Sequence, residues 1–163
     1  MDAFQAFPLL ILALVLVSLS GNKLYMVVVA IALINIPRYM RLIRSEVLSL
    51  REARFMEATT AVGVPVPRAL RKHVLPNVLG IITAQTTLTM ANAIVVIATL
   101  TFLGIGVAPP TPSWGSMIRA GSSNMISGEW WVALFPGLFV LICVWILNQL
   151  SDAISDFNSR TTR

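Results

Sequence analysis

The residue types that most often carry chemistry in proteins are scarce in this sequence. It contains one histidine, His73, and one cysteine, Cys143. A single residue of each type excludes an internal disulfide, a multi-cysteine metal site and a histidine cluster. The sequence also lacks the motifs H-E-x-x-H, G-x-S-x-G and G-x-x-x-x-G-K-[ST], which indicate zinc proteases, serine hydrolases and phosphate-binding loops. We therefore expect no enzymatic activity, no metal and no cofactor, and ATP-driven work would require a nucleotide-binding partner.

The composition is typical of a membrane protein. Of 163 residues, 56% are hydrophobic and only 12% are charged, whereas a soluble domain has roughly 25% charged residues. Twelve Lys and Arg residues oppose seven Asp and Glu, which gives a net charge of +5. In so apolar a chain, this basic excess indicates loops at an anionic inner leaflet and not the binding of nucleic acid.

Four apolar stretches are candidates for membrane-spanning helices. They cover residues 4–19, 24–36, 78–107 and 131–150. We expect the first to be a span and not a cleaved signal peptide, because no basic residue precedes it. The second is short for a span, and we expect it to form a helical hairpin with the first; a buried or interfacial helix is the alternative. The predicted fold is all-α, a transmembrane bundle of about four spans in a single domain, residues 1–163.

The connection over residues 37–77 differs sharply from the rest, since it holds eight of the twelve basic residues. The positive-inside rule predicts that this connection is cytoplasmic, and four spans then place both termini in the cytoplasm as well. Ser45 is predicted to cap a helix that Gly63 ends, and a second, basic helix is predicted to start near Pro67. The segment is therefore expected to project from the membrane as a helix–turn–helix finger.

Four polar residues of the third apolar stretch share one side of the predicted helix: Gln85, Thr89, Asn92 and Thr99. At about 100° per residue, they fall within about 80° on a helical wheel. Such a stripe faces protein or water, so the residues are candidates to line a translocation path. The alternative is hydrogen bonding between helices, worth about 0.6 kcal/mol per contact. Residues 108–130, rich in Gly and Pro, are expected to form a connection on the outer side.

The spacing within the basic connection is the most specific signal in the chain. It resembles the cytoplasmic signature of permease subunits of binding-protein-dependent ABC importers, which reads E-A-A, three residues, Gly, nine residues, Ile-x-Leu-Pro. The matching segments are Glu57-Ala58-Thr59, Gly63 and Leu75-Pro76. Two positions depart from the signature, because Thr59 replaces the second alanine and His73 replaces the isoleucine.

The wider sequence resembles one branch of that family, the C-type permeases of dipeptide and oligopeptide importers in the peptide/nickel group. The stretches that carry this resemblance are residues 6–8, 37–53, 73–77, 102–107 and 109–115. Subunits of this branch have about six spans. The chain is therefore expected to correspond to the C-terminal portion of such a subunit, without its first two spans.

This resemblance implies an inner-membrane permease subunit that imports substrate, with peptides as the expected cargo. The implied partners are two ATP-binding subunits, a second permease, a periplasmic solute-binding protein and membrane lipid. By the same resemblance, Glu57, Ala58 and Gly63 would shape the contact with an ATP-binding subunit. Two alternatives stay open: a small membrane scaffold whose basic loop binds lipid, and a non-functional truncated permease.

Overall fold

The computed structural model describes residues 8–21, 23, 25–52, 64–107 and 110–161, and within these ranges it is helical with no strand. The α-helices are α1 (Leu9–Leu19), α2 (Tyr25–Arg51), α3 (Val66–Ala69), α4 (Leu75–Phe102), α5 (Trp114–Asn124) and α6 (Trp131–Thr161). A π-helical turn, Leu70–Val74, joins α3 to α4, and a 3-10 turn, Met125–Ser127, follows α5. The prediction of an all-α fold is confirmed.

Three of these helices are long and apolar enough to cross a bilayer. Helices α2, α4 and α6 have 27, 28 and 31 residues, which corresponds to about 40 Å or more at 1.5 Å per residue. Helix α1 is also apolar but has 11 residues, or about 16 Å, against a hydrocarbon thickness of about 30 Å. Of the four predicted spans, three are therefore of membrane length among the described residues.

Helix α2 continues through Pro37, where the sequence predicted a boundary between a span and a loop. Proline lacks the N–H of one helical hydrogen bond, but a bilayer favours continued helix because no water is present to satisfy free backbone groups. The predicted helix start at Ser45 is also wrong, because α2 already runs through this residue. Ser45 lies inside α2, and its hydroxyl donates to the carbonyl of Leu42 at 2.9 Å. The predicted basic helix does form, from Val66, and leads through the π-helical turn into α4.

Helices α2 and α4 pack antiparallel, as two apolar clusters show. In the first, Val27 of α2 is buried with Leu100 of α4 and with residues of α1. In the second, Leu50 of α2 is buried against Val74 and Val78. This packing gathers basic residues where α2 ends and α4 begins, which we call the basic end. Its exposed members are Arg44, Arg51, Arg68, Arg71 and Lys72.

Helix α5 lies at the opposite end, wedged between α4 and α6, because two of its residues are glycines. A Cβ atom at Gly115 would meet the carbonyl oxygen of Ala98 in α4. A Cβ atom at Gly121 would meet the backbone of Val132 and Ala133 in α6. The sequence predicted only a turn-rich connection over residues 108–130. Gly115 and Gly121, which the sequence indicated as turn residues, instead allow the backbones of α4 and α6 to approach the backbone of α5.

The start of α5 is fixed by a capping box. The Ser113 side chain accepts a hydrogen bond from the backbone N–H of Ser116 at 3.2 Å, and the Ser116 side chain accepts one from the backbone N–H of Ser113 at 3.1 Å. This reciprocal pair satisfies donors that a helix start otherwise leaves free. The 11-residue helix therefore begins at a defined residue in spite of its proline-rich approach.

Helix α6 extends beyond the predicted end of the last span at residue 150 and packs its polar extension on α4. The hydroxyl of Ser151, which is 2% exposed, donates to the carbonyl of Ala84 at 2.9 Å. About two turns further, the Asn158 amide approaches the carbonyl of Asn77 at 3.5 Å and lies against Gly80. The residues after the predicted span thus continue α6 to Thr161 and pack on α4 near the basic end.

Candidate functional site

The residues predicted to contact an ATP-binding subunit are Glu57, Ala58 and Gly63. They fall in residues 53–63, which lie outside the described residues. Their role stays a prediction. What the structure does describe is the pair of helices on either side of them, α2 and the α3–α4 segment, whose contact through Leu50, Val74 and Val78 holds the two ends of the segment together.

A polar cleft of about 600 Å³ lies between α1, α2 and α4, and we call it the α2–α4 cleft. Helix α2 contributes Asn35, Arg38 and Arg41, and helix α4 contributes Thr89 and Asn92. The rest of the lining is apolar: Pro8, Leu9, Ile31, Ile34, Ala93, Val95 and Val96. The cleft therefore combines a hydrophobic wall with a few polar groups, the usual character of a small-molecule site.

Hydrogen bonds fix the register of α2 against α4 beside this cleft. The hydroxyl of Tyr39 donates to the hydroxyl oxygen of Thr86 at 3.1 Å and lies 3.2 Å from that of Thr89. Those two threonines donate their own protons to α4 carbonyls, Thr86 to Ile82 at 2.7 Å and Thr89 to Gln85 at 2.9 Å. This chain of bonds places Arg38, one residue before Tyr39, at the level of Thr89.

The charged groups that line the cleft, Arg38 and Arg41, are both basic. Asn35 is 8% exposed, and its amide nitrogen donates to the carbonyl of Ile31 at 2.7 Å. Arg38 and Asn92 are exposed within the chain, and a guanidinium offers five N–H donors and no acceptor. No described residue that lines the cleft is acidic. The arrangement is therefore suited to hold an anionic or carbonyl-rich solute by hydrogen bonding.

The four residues of the predicted polar stripe do not share one cavity. Thr89 and Asn92 line the α2–α4 cleft. Gln85 lines a separate cavity of about 210 Å³ between α4 and α6, together with Ser151 and Asp152. Thr99 donates to the carbonyl of Val95 at 2.8 Å within its own helix. The structure thus brings two of the four together, and a role for any of them in translocation stays a prediction.

Sequence reasoning missed the α2 side of the cleft. Asn35, Arg38 and Tyr39 stand at the three- and four-residue spacing of one helix face, and this spacing was a usable signal. The prediction did not use this spacing because Pro37 was interpreted as a helix boundary, which separated Asn35 from Arg38 and Tyr39. Arg38 was consequently assigned to a solvated loop, whereas the structure places it on α2 beside α4.

The helices and the cleft define an integral membrane protein, a helical bundle with a polar cleft between its spans. All of the chain, residues 1–163, matches the family described as binding-protein-dependent transport system inner membrane component. The chain belongs to this family of ABC-transporter permease subunits, and the resemblance stated from the sequence is confirmed.

Similar proteins include two transporters of short peptides. The dipeptide transport system permease protein DppC of Alkalihalophilus pseudofirmus is 39% identical over 155 residues. The di/tripeptide transport system permease protein DppC of Pseudomonas aeruginosa is 38% identical over 156 residues. The glutathione transport system permease protein GsiD of Escherichia coli is 34% identical over 155 residues. These matches cover 95 or 96% of this chain but 51% of each relative, so the chain spans about half the length of these relatives.

Proposed function

We propose that this chain forms part of the inner-membrane permease of an ABC importer that carries short peptides into the cell. The observation that carries this proposal is the family match along all 163 residues, joined to the similarity with permeases named for dipeptides and tripeptides. The chain binds and passes the solute and makes or breaks no bond. ATP hydrolysis belongs to two partner subunits, and a second permease and a periplasmic solute-binding protein complete the complex.

The charge distribution supports a cytoplasmic position for the segment that joins α2 to α4, within the connection predicted over residues 37–77. Exposed basic residues of α2, α3 and the π-helical turn gather at the basic end, on either side of the segment that carries the coupling signature. Basic residues next to a span favour the cytoplasmic side of the membrane. With α2, α4 and α6 spanning, the end of α6 shares that side, in contact with anionic lipid headgroups. A first span made by α1 together with the residues before it would place the N-terminus on the same side.

The coupling step in this proposal uses Glu57, Ala58 and Gly63. Ala58 leaves room for close approach of an ATP-binding subunit, Gly63 permits a tight turn, and Glu57 can pair with basic groups of the partner. Movement of the partner would then reach α2 and α4 directly, because Leu50 packs against Val74 and Val78 at the base of the segment. Rigid helices that move together in this way are a common means of switching access.

Cysteine labelling and cross-linking test both the side and the partner. Cys143 is the chain's single cysteine, so Cys143→Ser provides a background without thiols for Ala58→Cys. We expect a membrane-impermeant maleimide to label Ala58→Cys in inside-out vesicles and not in right-side-out ones. A bifunctional thiol reagent should cross-link it to an ATP-binding subunit. Ser127→Cys, exposed at the opposite end, is the matched control and should show the reverse labelling and no cross-link.

Two outcomes would contradict the proposal. Labelling of Ala58→Cys from the periplasmic side would reverse the topology. Absence of the cross-link in a complex that retains its ATP-binding subunits would remove the coupling role. The substitution Gly63→Pro distinguishes an importer from the alternative, a lipid-binding scaffold. In an importer it should abolish import and leave the adhesion of the basic residues to anionic vesicles unchanged.

A further inference from the structure

Arg38 lies at the middle of helix α2. It is thirteen residues along α2 from Tyr25, and Thr89, at its level on α4, is thirteen residues before Phe102. Both counts place the Arg38 backbone about 20 Å from the same end of the two helices. Thirteen residues also separate Arg38 from Arg51 at the other end of α2, so Arg38 stands at the middle of this 27-residue candidate span.

A charged side chain at this depth indicates a functional site. Arginine inside a membrane span is costly and usually faces a partner charge or a water-filled cavity. Arg38 lines the α2–α4 cleft with Asn92, and no described residue of the lining offers a carboxylate to pair with it. Arg41 lines the same cleft about one turn nearer the basic end, so the cleft presents basic groups and the Asn92 amide to whatever solute enters it.

We propose that Arg38 binds the carboxylate of the solute in the α2–α4 cleft and so makes the permease selective for free acids. This inference rests on the proposed function, because peptides carry a terminal carboxylate. The planar guanidinium matches a carboxylate with two parallel N–H···O bonds, and the Asn92 amide is a neighbouring donor. The volume of about 600 Å³ is in the range of small-molecule sites.

A lipid phosphate is the other anion that an arginine in a membrane protein commonly meets. Phosphates lie outside the hydrocarbon core, whereas Arg38 lines a cleft at the middle of α2, about 20 Å along the helix from Arg51. Arg44 and Arg51, at the basic end, are better placed for headgroups. The depth of Arg38 therefore favours a solute over a lipid as its ligand.

The test compares import of a dipeptide with import of its C-terminal amide. The whole complex, with its binding protein, is reconstituted in proteoliposomes, and the ratio of free-acid to amide uptake is measured for the unsubstituted complex and for Arg38→Gln. Dividing the acid-to-amide ratio of Arg38→Gln by that of the unsubstituted complex cancels any preference of the binding protein for the acid or the amide. We expect Arg38→Gln to lower the ratio about tenfold or more, since hydrogen bonds to charged groups are strong. Arg44→Gln, which removes the same charge on the same helix outside the cleft, should leave the ratio unchanged.

A second variant keeps the test decisive if Arg38→Gln does not assemble. Asn92 is exposed in the cleft, and Asn92→Asp would place a competing carboxylate beside Arg38 without burying an unpaired group. This variant should also lower the acid-to-amide ratio about tenfold. An unchanged ratio in both variants, or in Asn92→Asp alone when Arg38→Gln does not assemble, would overturn the inference.

The remaining outcomes separate this inference from the proposed function. Equal loss of acid and amide uptake that varies with the phosphatidylglycerol content of the vesicles would identify lipid as the ligand of Arg38 and would overturn the inference. Import of both peptides with no effect of Arg38→Gln on the ratio would overturn the inference alone. If the unsubstituted complex imports neither the acid nor the amide, the proposed function fails, and the inference fails with it.

Discussion

Substitution of Gly121 by valine is expected to destabilise the bundle by about 3 kcal/mol, the upper part of the range for overpacking. A Cβ atom at Gly121 would meet the backbone of Val132 and Ala133, and backbone atoms cannot move aside as a flexible side chain can. Helix α5 would have to separate from α6. For a chain of this size we expect the midpoint of thermal unfolding to fall by about 6–12 °C, measured as loss of the monodisperse peak in size-exclusion chromatography after heating in detergent.

The matched control for this prediction is Gly137→Val. Gly137 is also a helical glycine, but a Cβ atom there has no other heavy atom within 4 Å. The same side chain is therefore expected to change the unfolding midpoint by less than about 2 °C. Equal midpoints for Gly121→Val and Gly137→Val would show that α5 is not wedged against α6.

Substitution of Ser151 by leucine is expected to have an effect of similar size at the basic end. Ser151 is 2% exposed and donates to the Ala84 carbonyl at 2.9 Å, so a larger side chain has no room between α4 and α6. The loss from overpacking is expected to reach about 3 kcal/mol, and the lost interhelical hydrogen bond adds about 0.6 kcal/mol. The same heating experiment measures the shift.

Two variants separate packing from hydrogen bonding at this position. Ser151→Ala removes only the hydroxyl and should cost about 0.6 kcal/mol. Ala153→Leu adds the same leucine side chain at an exposed position two residues away and should be close to neutral. Destabilisation by Ala153→Leu as large as that by Ser151→Leu would contradict the close packing of α6 on α4.

The class of fold could be predicted from the sequence because composition and apolar length are local properties. Helix boundaries at Pro37 and Ser45 could not. The rules that end a helix at proline and begin one at serine come from water, where free backbone groups are solvated. Inside a bilayer Pro37 stays within α2, because an interrupted helix would leave backbone groups without partners. Ser45 lies nearer the basic end, and it does not start a helix because α2 already runs through it from Tyr25.

Helix α5 was missed for a different reason. Gly115 and Gly121 lower helix propensity, so a local rule predicts turns. Their role depends on the backbones of α4 and α6, which approach from elsewhere in the chain. Only the serine spacing of the capping box, Ser113 and Ser116, was a local signal for this helix.

The candidate site was predicted in part. Thr89 and Asn92 were found from helical spacing, which a single segment contains. Their grouping with Asn35 and Arg38 depends on the register that Tyr39 sets against Thr86 and Thr89, and register is a property of two packed helices. Gln85 and Thr99 share the stripe on a wheel, but helix packing places them outside the cleft.

ATP-dependent uptake is the most direct test of the central claim that this chain is part of a peptide importer's permease. Proteoliposomes that contain the complete complex should accumulate a radiolabelled dipeptide when ATP and the solute-binding protein are both supplied. They should not accumulate it when either is left out or when this chain is omitted from the complex. Equal uptake with and without this chain, or no ATP-dependent uptake of any dipeptide by an intact complex, would contradict the account.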